Sequence, residues 1–243
     1  MKQGCVILAA GINSRLDTGK PKSLLKFNQL TLIERHVSLF SKSGINEFCV
    51  VTGYKHEMIK EEVERLRSKY PVRINTVFNS KYNLENGYSV WAANEWLKRK
   101  ELESFMLTMA DHVFDPRFVE EFVSIEKDFN SNKLYLAVDK PGTKNAHIDI
   151  EDVTKVEVKD SLIQHIGKEI EKYNYYDTGL FEMHTEVMTV FESCFEDGKY
   201  SISHMVESLA AKRKAAVIDI SGFPWNDVDN PDDYEKTLGL DLN

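Results

Sequence analysis

The sequence predicts an α/β fold in which helices flank a mostly parallel, twisted sheet, and three observations support this prediction. First, short continuous apolar runs are typical of strands buried on both faces, and such runs occupy 5–10, 48–52 and 105–110. Second, stretches with helical spacing or high charge separate these runs. Third, 42% of the 243 residues are hydrophobic, which is enough to build one sizeable core.

The first half of the chain alternates regularly between strand and helix patterns. After the first strand and a glycine turn, the apolar spacing and the charge pattern predict a helix at 30–43, a strand at 48–52, a helix at 55–69, a strand at 73–78, a helix at 89–100 and a strand at 105–110. This alternation is typical of a parallel sheet with helical crossovers.

The pattern changes beyond Asp111. A helix at 116–127 and a strand at 134–139 precede a segment from about 140 to 174, in which a Pro-Gly turn and short alternating strands predict a β-rich lid that leaves the main sheet. The remaining elements are predicted as a strand at 179–183, helices at 186–195 and 201–211, a strand at 216–220 and a C-terminal helix opened by Asn230-Pro231. We therefore predict one domain over 1–243 with a lid insertion.

Composition argues against several classes of protein. The formal net charge of -8 argues against a general nucleic-acid binder, because binding to phosphate backbones needs a basic face. No apolar stretch approaches the ~20 residues that span a bilayer. The three cysteines have no paired spacing, and the first residues lack the order of a signal peptide, so we expect a cytoplasmic location.

The loop after the first strand has the composition of a phosphate-binding segment. It reads Leu8-Ala9-Ala10-Gly11 and continues through Ser14 and Arg15 to Lys22. Small residues at the end of a central strand let backbone N–H groups approach a phosphate, and the two basic side chains supply positive charge. The loop is neither a Walker A motif nor a dinucleotide fingerprint. An ordinary strand-to-helix turn with two surface cations would account for the same residues.

Carboxylates follow two extended segments. Asp111 comes directly after a buried strand, at the end of a parallel sheet where ligands bind, and a hard oxygen ligand there suits Mg²⁺. Its neighbour His112 fits a hydrogen-bonding role better, since magnesium prefers oxygen. Asp227 and Asp229 alternate on an extended segment, so one or both can face the same metal. The competing interpretation of Asp111 is a turn or helix-capping carboxylate.

These residues carry a resemblance to a known family. The segment Leu8-Ala9-Ala10-Gly11 with Ser14-Arg15-Leu16, followed by Gly19-Lys20-Pro21-Lys22, resembles the signature of the GT-A-type sugar-phosphate and alcohol-phosphate nucleotidyltransferases. The resemblance implies a Rossmann-like (GT-A type) fold, a loop that wraps a nucleoside triphosphate, and Arg15 and Lys22 as residues that stabilise phosphate charge. It also implies that Asp229, just before an x-Pro dipeptide, is the second Mg²⁺ ligand beside Asp111. Asn230 departs from the threonine of many relatives.

Further stretches narrow the resemblance to the CTP:inositol-1-phosphate cytidylyltransferases, over nearly the whole chain. They are His147 to Val156, Ile166-Gly167-Lys168 and Tyr176 to Phe181. The resemblance implies that Lys155 and Lys168 bind the phosphate of the acceptor, and that Asp177 and Thr178 contact acceptor hydroxyls or order the pocket. Solvated lysines on lid strands and a loop-shaping Asp-Thr-Gly turn are the structural alternatives.

The base of the nucleotide has several candidate contacts. They are the backbone of Ala9 and Gly11, the turn at Gly53, and the group Asn86, Gly87 and Ser89. Helix capping accounts for the last group equally well. Backbone groups can match cytosine or uracil, so CTP and UTP both stay open at this point.

Several functions remain open from the sequence. Relatives of similar length use CTP with phosphocholine or aminoethylphosphonate, and sugar 1-phosphates are further acceptors of the wider family. A glycosyltransferase of the same fold is disfavoured, because Asp111-His112-Val113 stands where that class has an Asp-x-Asp motif. A non-catalytic nucleotide-binding regulatory protein is the alternative from another class. A homodimer through the lid or the C-terminal helix is compatible with the resemblance, although no residue pattern requires it.

Overall fold

The computed structural model describes residues 2–12, 19–142, 145, 147–240 and 242. Within this part, the strands are β1 (Gln3–Ala9), β2 (Lys26–Phe27), β3 (Leu30–Thr31), β4 (Glu47–Thr52), β5 (Arg73–Phe78), β6 (Ser104–Met109), β7 (His112–Phe114), β8 (Leu134–Asp139), β9 (Lys155–Lys159), β10 (Leu162–Gly167), β11 (Tyr175–His184), β12 (Ala215–Asp219) and β13 (Trp225–Asp227).

The helices in the same part of the chain are α1 (Leu32–Lys42), α2 (His56–Lys69), α3 (Gly87–Ala92), α4 (Asn94–Arg99), α5 (Pro116–Ser124), α6 (Val187–Glu196), α7 (Ile202–Ala210) and α8 (Pro231–Leu238), with a short 3₁₀ helix at Lys22–Leu24. The helix predicted over 89–100 is thus two short helices, divided at Ala93. No helix in the described ranges has the length and apolar character needed to cross a membrane.

A nine-stranded sheet in the order β5-β4-β1-β6-β11-β8-β12-β10-β9 forms the centre of the molecule. Strands β1, β4, β5 and β6 are parallel to their neighbours within this group, as the alternating first half predicts. Strand β11 runs antiparallel to both β6 and β8, so the complete sheet is mixed. The predicted α/β class, a central sheet flanked by helices, is confirmed.

Both faces of the sheet are covered. Successive residues of β1 point to opposite faces, and they belong to two different apolar clusters: Cys5 and Ile7 lie in one, and Val6 and Leu8 in the other. Helices α1, α2 and α5 supply side chains to the first cluster, and α3, α4, α6 and α7 to the second. This burial on both faces explains the continuous apolar runs of the central strands.

The segment from about 140 to 174 differs from the predicted lid in one respect. Its two strands, β9 and β10, form the expected hairpin, but β10 also pairs with β12 and β9 with the start of β11. The hairpin therefore extends the edge of the main sheet and does not leave it. The single-domain organisation over 1–243 stays a prediction.

A small antiparallel ribbon, β7–β13, was not predicted. It pairs His112 with Asp227 and Phe114 with Trp225. Each strand has only three residues, and their partners lie more than a hundred positions apart in the chain, so local periodicity carries no signal for this pairing. The ribbon brings the carboxyl end of β6 next to the segment that opens α8.

Candidate active site

The carboxyl ends of three parallel strands meet at one edge of the sheet. Leu8 of β1 lies opposite Met109 of β6, and Ala9 lies opposite Thr52 of β4. The loops that follow these strands therefore share this edge, where open α/β sheets bind their ligands. The Ala110 N–H donates to the Leu8 carbonyl at 2.9 Å, which holds the loop after β6 against β1.

Asp111 and Asp229 come together through the β7–β13 ribbon. The Val228 N–H donates to the Asp111 carbonyl at 3.0 Å, directly beyond the last ribbon pair. Asp111 itself takes part in this hydrogen bond, and Asp229 directly follows Val228, although the two aspartates are far apart in sequence. The structure brings the two predicted metal ligands to one place.

Lys22 joins the same place from the loop after β1. Its Nζ donates to Asp229 Oδ1 and lies 3.6 Å from Asp111 Oδ2. The Lys22, Asp111 and Asp229 side chains are 13%, 29% and 18% exposed, so the group is partly shielded yet open to a ligand. One ammonium group between two carboxylates marks a position that favours positive charge.

A small apolar cluster fixes these three residues from behind. Its described members are Phe27, Leu32, Val113, Val228 and Leu242, and each is almost completely buried. Phe27 follows the Lys22 segment, Val113 is two positions after Asp111, and Val228 directly precedes Asp229. Because burying one large apolar side chain contributes roughly 1.5–3 kcal/mol, this packing holds the three separate segments together.

A narrow cavity of about 40 Å³ opens beside Lys22. It is lined by Leu8, Ala9, Gly11, Pro21, Lys22, Ser23, Ala110 and Asp111. Four predicted nucleotide-binding residues and one predicted metal ligand thus share one cavity, and Ala10 is the neighbour between two of them. Ser14 and Arg15, which the sequence also predicts here, lie outside the described residues.

Gly53 packs against the turn after β1. The Tyr54 N–H donates to the Ala10 carbonyl at 3.1 Å. A Cβ atom at position 53 would lie 2.7 Å from that carbonyl oxygen and 2.4 Å from the Cβ of Tyr82. Only glycine permits this close approach of two backbone segments, so the structure gives Gly53 a packing role beside the predicted base contact.

The other residues predicted to contact the base make hydrogen bonds within the protein. The Asn86 side-chain oxygen accepts from the Ile202 N–H at 2.9 Å, and Ser89 Oγ accepts from the Asn79 side chain at 3.0 Å. The Gly87 N–H donates to the Tyr200 carbonyl, and a Cβ at 87 would lie 2.3 Å from that oxygen. Asn86 also lines a cavity on the far side of Asp111. A base contact by this group stays a prediction.

That second cavity, of about 230 Å³, is the candidate acceptor side of the site. Its described lining is Asn86, Met109, Asp111, His112, Asp152, Val153, Thr154, Lys168, Asp177, Gly179, Phe181, Ile202, Ser203, Trp225, Asp227 and Asp229. Asp111 lines both cavities. The two cavities therefore adjoin at Asp111, with Lys22 on the side of the narrow cavity and Asp229 on the side of the larger one.

Of the predicted acceptor-binding residues, Lys168 and Asp177 line this cavity. Lys155 does not, because its ammonium donates to the Lys168 carbonyl at 2.6 Å and lies 5.9 Å from the centre of the Tyr173 ring. Thr178 is fully buried, and its hydroxyl donates to the Ala137 carbonyl at 2.8 Å. The contacts predicted for Lys155 and Thr178 stay predictions, and ordering of the pocket stays the alternative for Thr178.

Asp177 and His112 are held close together by backbone geometry. The Gly179 N–H donates to Asp177 Oδ1 at 2.8 Å. Gly179 has a φ of 77°, and a Cβ there would lie 2.4 Å from His112 Nε2, so the ring occupies the space that a side chain would need. Burial raises the pKa of Asp177 to about 6, and the neighbouring Asp227 carboxylate acts in the same direction.

Asp111 is ionised despite its partial burial. Burial raises its pKa, but the hydrogen bond from His112 Nδ1 at 3.1 Å and the charges of His112 and Lys22 outweigh burial and hold this pKa well below its usual range. The same bond raises the pKa of His112 against the effect of burial. His112 stacks on Trp225 with ring centres 6.5 Å apart, which fixes the ring beside Asp111.

Sequence reasoning missed several residues of this site. Asp152 lies in an acidic turn that reads as a solvated loop, and Ile202 and Ser203 begin a helix with no chemical motif. The Ser201 cap predicts where α7 starts, but it does not indicate that this helix end faces the cavity. These contributions depend on tertiary packing between distant segments.

The donor set fits a magnesium ion. Asp111 and Asp229 offer two carboxylates that already converge on a cationic group, and both line the acceptor cavity. Mg²⁺ usually takes one or two carboxylates and completes its shell with water and substrate phosphates. Among the described residues no group of three or more acidic, histidine or cysteine side chains is arranged around a metal position.

Fold and site together define a nucleotidyltransferase: a helix-flanked sheet with a small-residue loop, a lysine and two carboxylates at its ligand-binding edge. Residues 5–141 match the MobA-like NTP transferase domain, and the chain belongs to this family. The resemblance noted in the sequence is thereby confirmed at the level of the family.

Individual relatives cover the chain almost completely. A bifunctional IPC transferase and DIPP synthase of Thermococcus kodakarensis is 30% identical over 95% of this chain and 49% of its own length. A choline-phosphate cytidylyltransferase of Streptococcus pneumoniae is 24% identical over 95% of both chains. The structure of the inositol-1-phosphate CTP transferase from T. maritima has a TM-score of 0.82 and 28% identity, with 98% of this chain and 95% of that chain covered. The chain spans about half the length of the bifunctional relatives.

Proposed function

We propose that this chain transfers CMP from CTP to a small phosphorylated alcohol, inositol 1-phosphate, giving CDP-inositol and pyrophosphate. The observation that carries the proposal is the position of Lys22, Asp111 and Asp229 where the two cavities meet. A transferase needs such a junction, because its two substrates must meet at the reacting phosphorus. The names of the T. kodakarensis and T. maritima relatives support the choice of substrates.

In the proposed reaction, an oxygen of the acceptor phosphate attacks the α-phosphorus of CTP. A new phosphorus–oxygen bond forms, and the bond to the departing pyrophosphate breaks. No general base is needed, because a phosphate monoester is already anionic near neutral pH. Mg²⁺, held by Asp111 and Asp229, would neutralise phosphate charge and orient the triphosphate.

The chain's own residues supply the remaining functions. The small-residue loop at Leu8 to Gly11 lets the triphosphate approach the backbone, and Lys22 offsets negative charge at its open end. Arg15 is proposed for the same task from the resemblance. On the other side, Lys168 binds the acceptor phosphate, and His112, fixed by Asp111 and Trp225, shapes the cavity beside it.

The lining offers hydrogen-bond acceptors to a hydroxylated acceptor and little open aromatic surface to a quaternary ammonium group. Phe181 and Trp225, the phenyl and indole groups among the described lining residues, are 0% and 1% exposed. A choline group is usually recognised by open aromatic faces, and these two rings offer almost none. Asp177 and Asp227 instead present carboxylate oxygens, which accept hydrogen bonds from hydroxyl groups.

The first experiment measures pyrophosphate release for each of CTP, UTP, GTP and ATP with inositol 1-phosphate, phosphocholine, aminoethylphosphonate and glucose 1-phosphate. We expect turnover of CTP with inositol 1-phosphate, and loss of this turnover when EDTA removes Mg²⁺. Turnover with another pair would replace the substrates and keep the transfer mechanism. Nucleotide binding without turnover of any pair would favour a regulatory protein. We also propose that the protein is located in the cytoplasm and forms a homodimer.

A further inference from the structure

Lys168 and Asp152 form an ion pair inside the candidate acceptor cavity. Lys168 Nζ donates to Asp152 Oδ1, and both residues line the cavity. Their side chains are 49% and 33% exposed, so a ligand can reach either group. Lys168 is the one lysine or arginine among the described lining residues, whereas five aspartates line the same cavity: Asp111, Asp152, Asp177, Asp227 and Asp229.

The backbones of both partners are fixed. Asp152 lies in a turn in which the Asp152 and Val153 N–H groups donate to the Asp149 carbonyl at 3.2 and 2.9 Å. Lys168 directly follows β10, and its carbonyl accepts the hydrogen bond from Lys155 Nζ. The ion pair therefore links two anchored segments across the cavity, and only the side chains need to move when it opens.

We propose that Asp152 is a displaceable counter-ion that occupies the position of the acceptor phosphate on Lys168 and thereby sets the affinity for the acceptor. This inference rests on the proposed function, since it assumes an anionic acceptor. A phosphate that enters the cavity replaces the Asp152 carboxylate as the anion bound to the Lys168 ammonium group. Because an ion pair with this exposure contributes little to stability, the exchange is easily reversed.

The Asp152 counter-ion keeps Lys168 in place but weakens the binding of the acceptor. Before the acceptor binds, Asp152 holds the Lys168 ammonium in place among the lining residues. The cost is a lower affinity for the acceptor, because phosphate must displace a carboxylate already in place. Lys155 acts as a positioning residue, since it holds the Lys168 backbone and does not itself line the cavity.

The test is steady-state kinetics at saturating CTP with Asp152→Asn, which removes the charge and keeps the size of the side chain. We expect KM for inositol 1-phosphate, and the inhibition constant of inorganic phosphate, to fall by about two- to fivefold, while KM for CTP stays unchanged. A rise or no change in both constants would show that Asp152 does not compete with phosphate. Either result would overturn the proposal.

Glu151→Gln is the matched control. It removes the same charge one residue earlier, but Glu151 lines a neighbouring groove and not this cavity. An equal fall in KM with Glu151→Gln would indicate a general effect of negative charge and would overturn the proposal. In a Lys168→Gln background, Asp152→Asn should have no further effect, and a persisting effect would show that Asp152 acts elsewhere.

A second readout separates this proposal from the proposed function. Calorimetric titration of inorganic phosphate into the CTP-bound protein measures the exchange without turnover. Tighter phosphate binding by Asp152→Asn together with absent inositol 1-phosphate turnover would retain the counter-ion and reject the substrate. Turnover of inositol 1-phosphate with unchanged phosphate binding in the variant would retain the function and reject the counter-ion.

Discussion

Lys22 gives Asp111 and Asp229 a shared counter-ion, so the two carboxylates can approach each other without strong repulsion. The arrangement costs little to build, because each side chain keeps partial contact with solvent. It also prepares the site for a metal, since the carboxylates converge before any ion binds. In the proposed mechanism, the chemistry of the site therefore depends on three individual side chains from three separate segments.

Replacing either carboxylate should stop catalysis and spare the fold. For Asp111→Asn and Asp229→Asn we expect kcat to fall by about 10²- to 10³-fold, because a group that stabilises transition-state charge is lost. Circular dichroism and thermal unfolding should stay close to the wild type. Asp232→Asn is the control, since Asp232 is exposed in the first turn of α8 and lines neither cavity. A near-normal kcat for Asp111→Asn would contradict the assignment.

Gly179 should tolerate no side chain, for two separable reasons. Gly179→Ala adds a Cβ at positive φ and places it 2.4 Å from His112 Nε2, whereas Gly142→Ala adds one at a similar φ of 79° with no atom of the described residues within 4 Å. We expect Gly142→Ala to lose about 1–2 kcal/mol of unfolding free energy from backbone strain, and Gly179→Ala to lose a further 1–3 kcal/mol or so from overpacking. Urea unfolding measures both.

The kinetic effect of the two substitutions should differ as well. Gly179→Ala must displace the His112 ring from its place against Asp111, so kcat/KM for the acceptor should fall with it. Gly142→Ala leaves that ring in place and should keep the wild-type kcat/KM. Equal stability losses in the two variants would mean that the contact with His112 relaxes without cost.

At the level of elements, α8 positions Asp229 through its first turn. The helix begins after Asn230, whose side-chain oxygen accepts from the Asp233 N–H at 3.0 Å, and Pro231 occupies the first helical position. Asn226 Nδ2 also donates to Thr237 Oγ1 at 2.7 Å and so ties β13 to the same helix. Asp229 lies between these two anchored points.

Removing the cap should therefore loosen the proposed metal site. We expect Asn230→Ala to lower the unfolding free energy by about 1 kcal/mol and to raise the Mg²⁺ concentration needed for half-maximal activity. Asn230→Asp keeps a capping oxygen and should restore both properties. Thr31→Ala removes the cap of α1, where Thr31 Oγ1 accepts from the Glu34 N–H at 3.2 Å. A rise in the Mg²⁺ requirement of Thr31→Ala would show that lost stability alone explains the effect.

The elements were predictable where the signal is local. Strands β5 and β8 have the predicted bounds, because continuous or alternating apolar residues report burial directly. The β7–β13 ribbon was not predictable, since its three-residue strands gain their stability from long-range pairing. The register of β11 is irregular between Asp177 and Phe181, so simple alternation does not describe this stretch.

On the scale of the whole molecule, part of the candidate site was likewise predictable from the sequence and part was not. Lys22, Asp111 and Asp229 could be proposed because each stands in a motif, and motifs are local in sequence. The sequence does not distinguish the two lysines, because Lys155 lies in β9 and Lys168 directly follows β10. Only the tertiary structure shows that Lys168 lines the candidate acceptor cavity and that Lys155 holds the Lys168 backbone. The ion pair with Asp152 likewise depends on how two loops meet.

A buried ion pair at the other end of the sheet should affect stability without affecting chemistry. Lys127 Nζ lies 3.1 Å from Glu182 Oε2, and the two side chains are only 3% and 7% exposed. Gln3 Nε2 donates to the other Glu182 oxygen at 2.5 Å. Glu182 pairs with Met106 of β6, well before the strand reaches Asp111. Burial lowers the pKa of Lys127 and raises that of Glu182, so burial disfavours the charged form of each side chain.

The expected result is a strongly non-additive mutant cycle. Lys127→Met should lose about 3–5 kcal/mol of unfolding free energy at neutral pH, because it leaves a buried carboxylate without its cation, whereas Lys127→Met with Glu182→Leu should lose much less. The deficit of the single variant should shrink as the pH falls, since the folded state with an unpaired Glu182 binds a proton more tightly than the unfolded state. Urea unfolding across pH measures this, and kcat at permissive temperature should match the wild type in both variants. A deficit that grows in acid would contradict the proton linkage expected of Glu182. A large loss of kcat would show that this pair is coupled to the active site through β6.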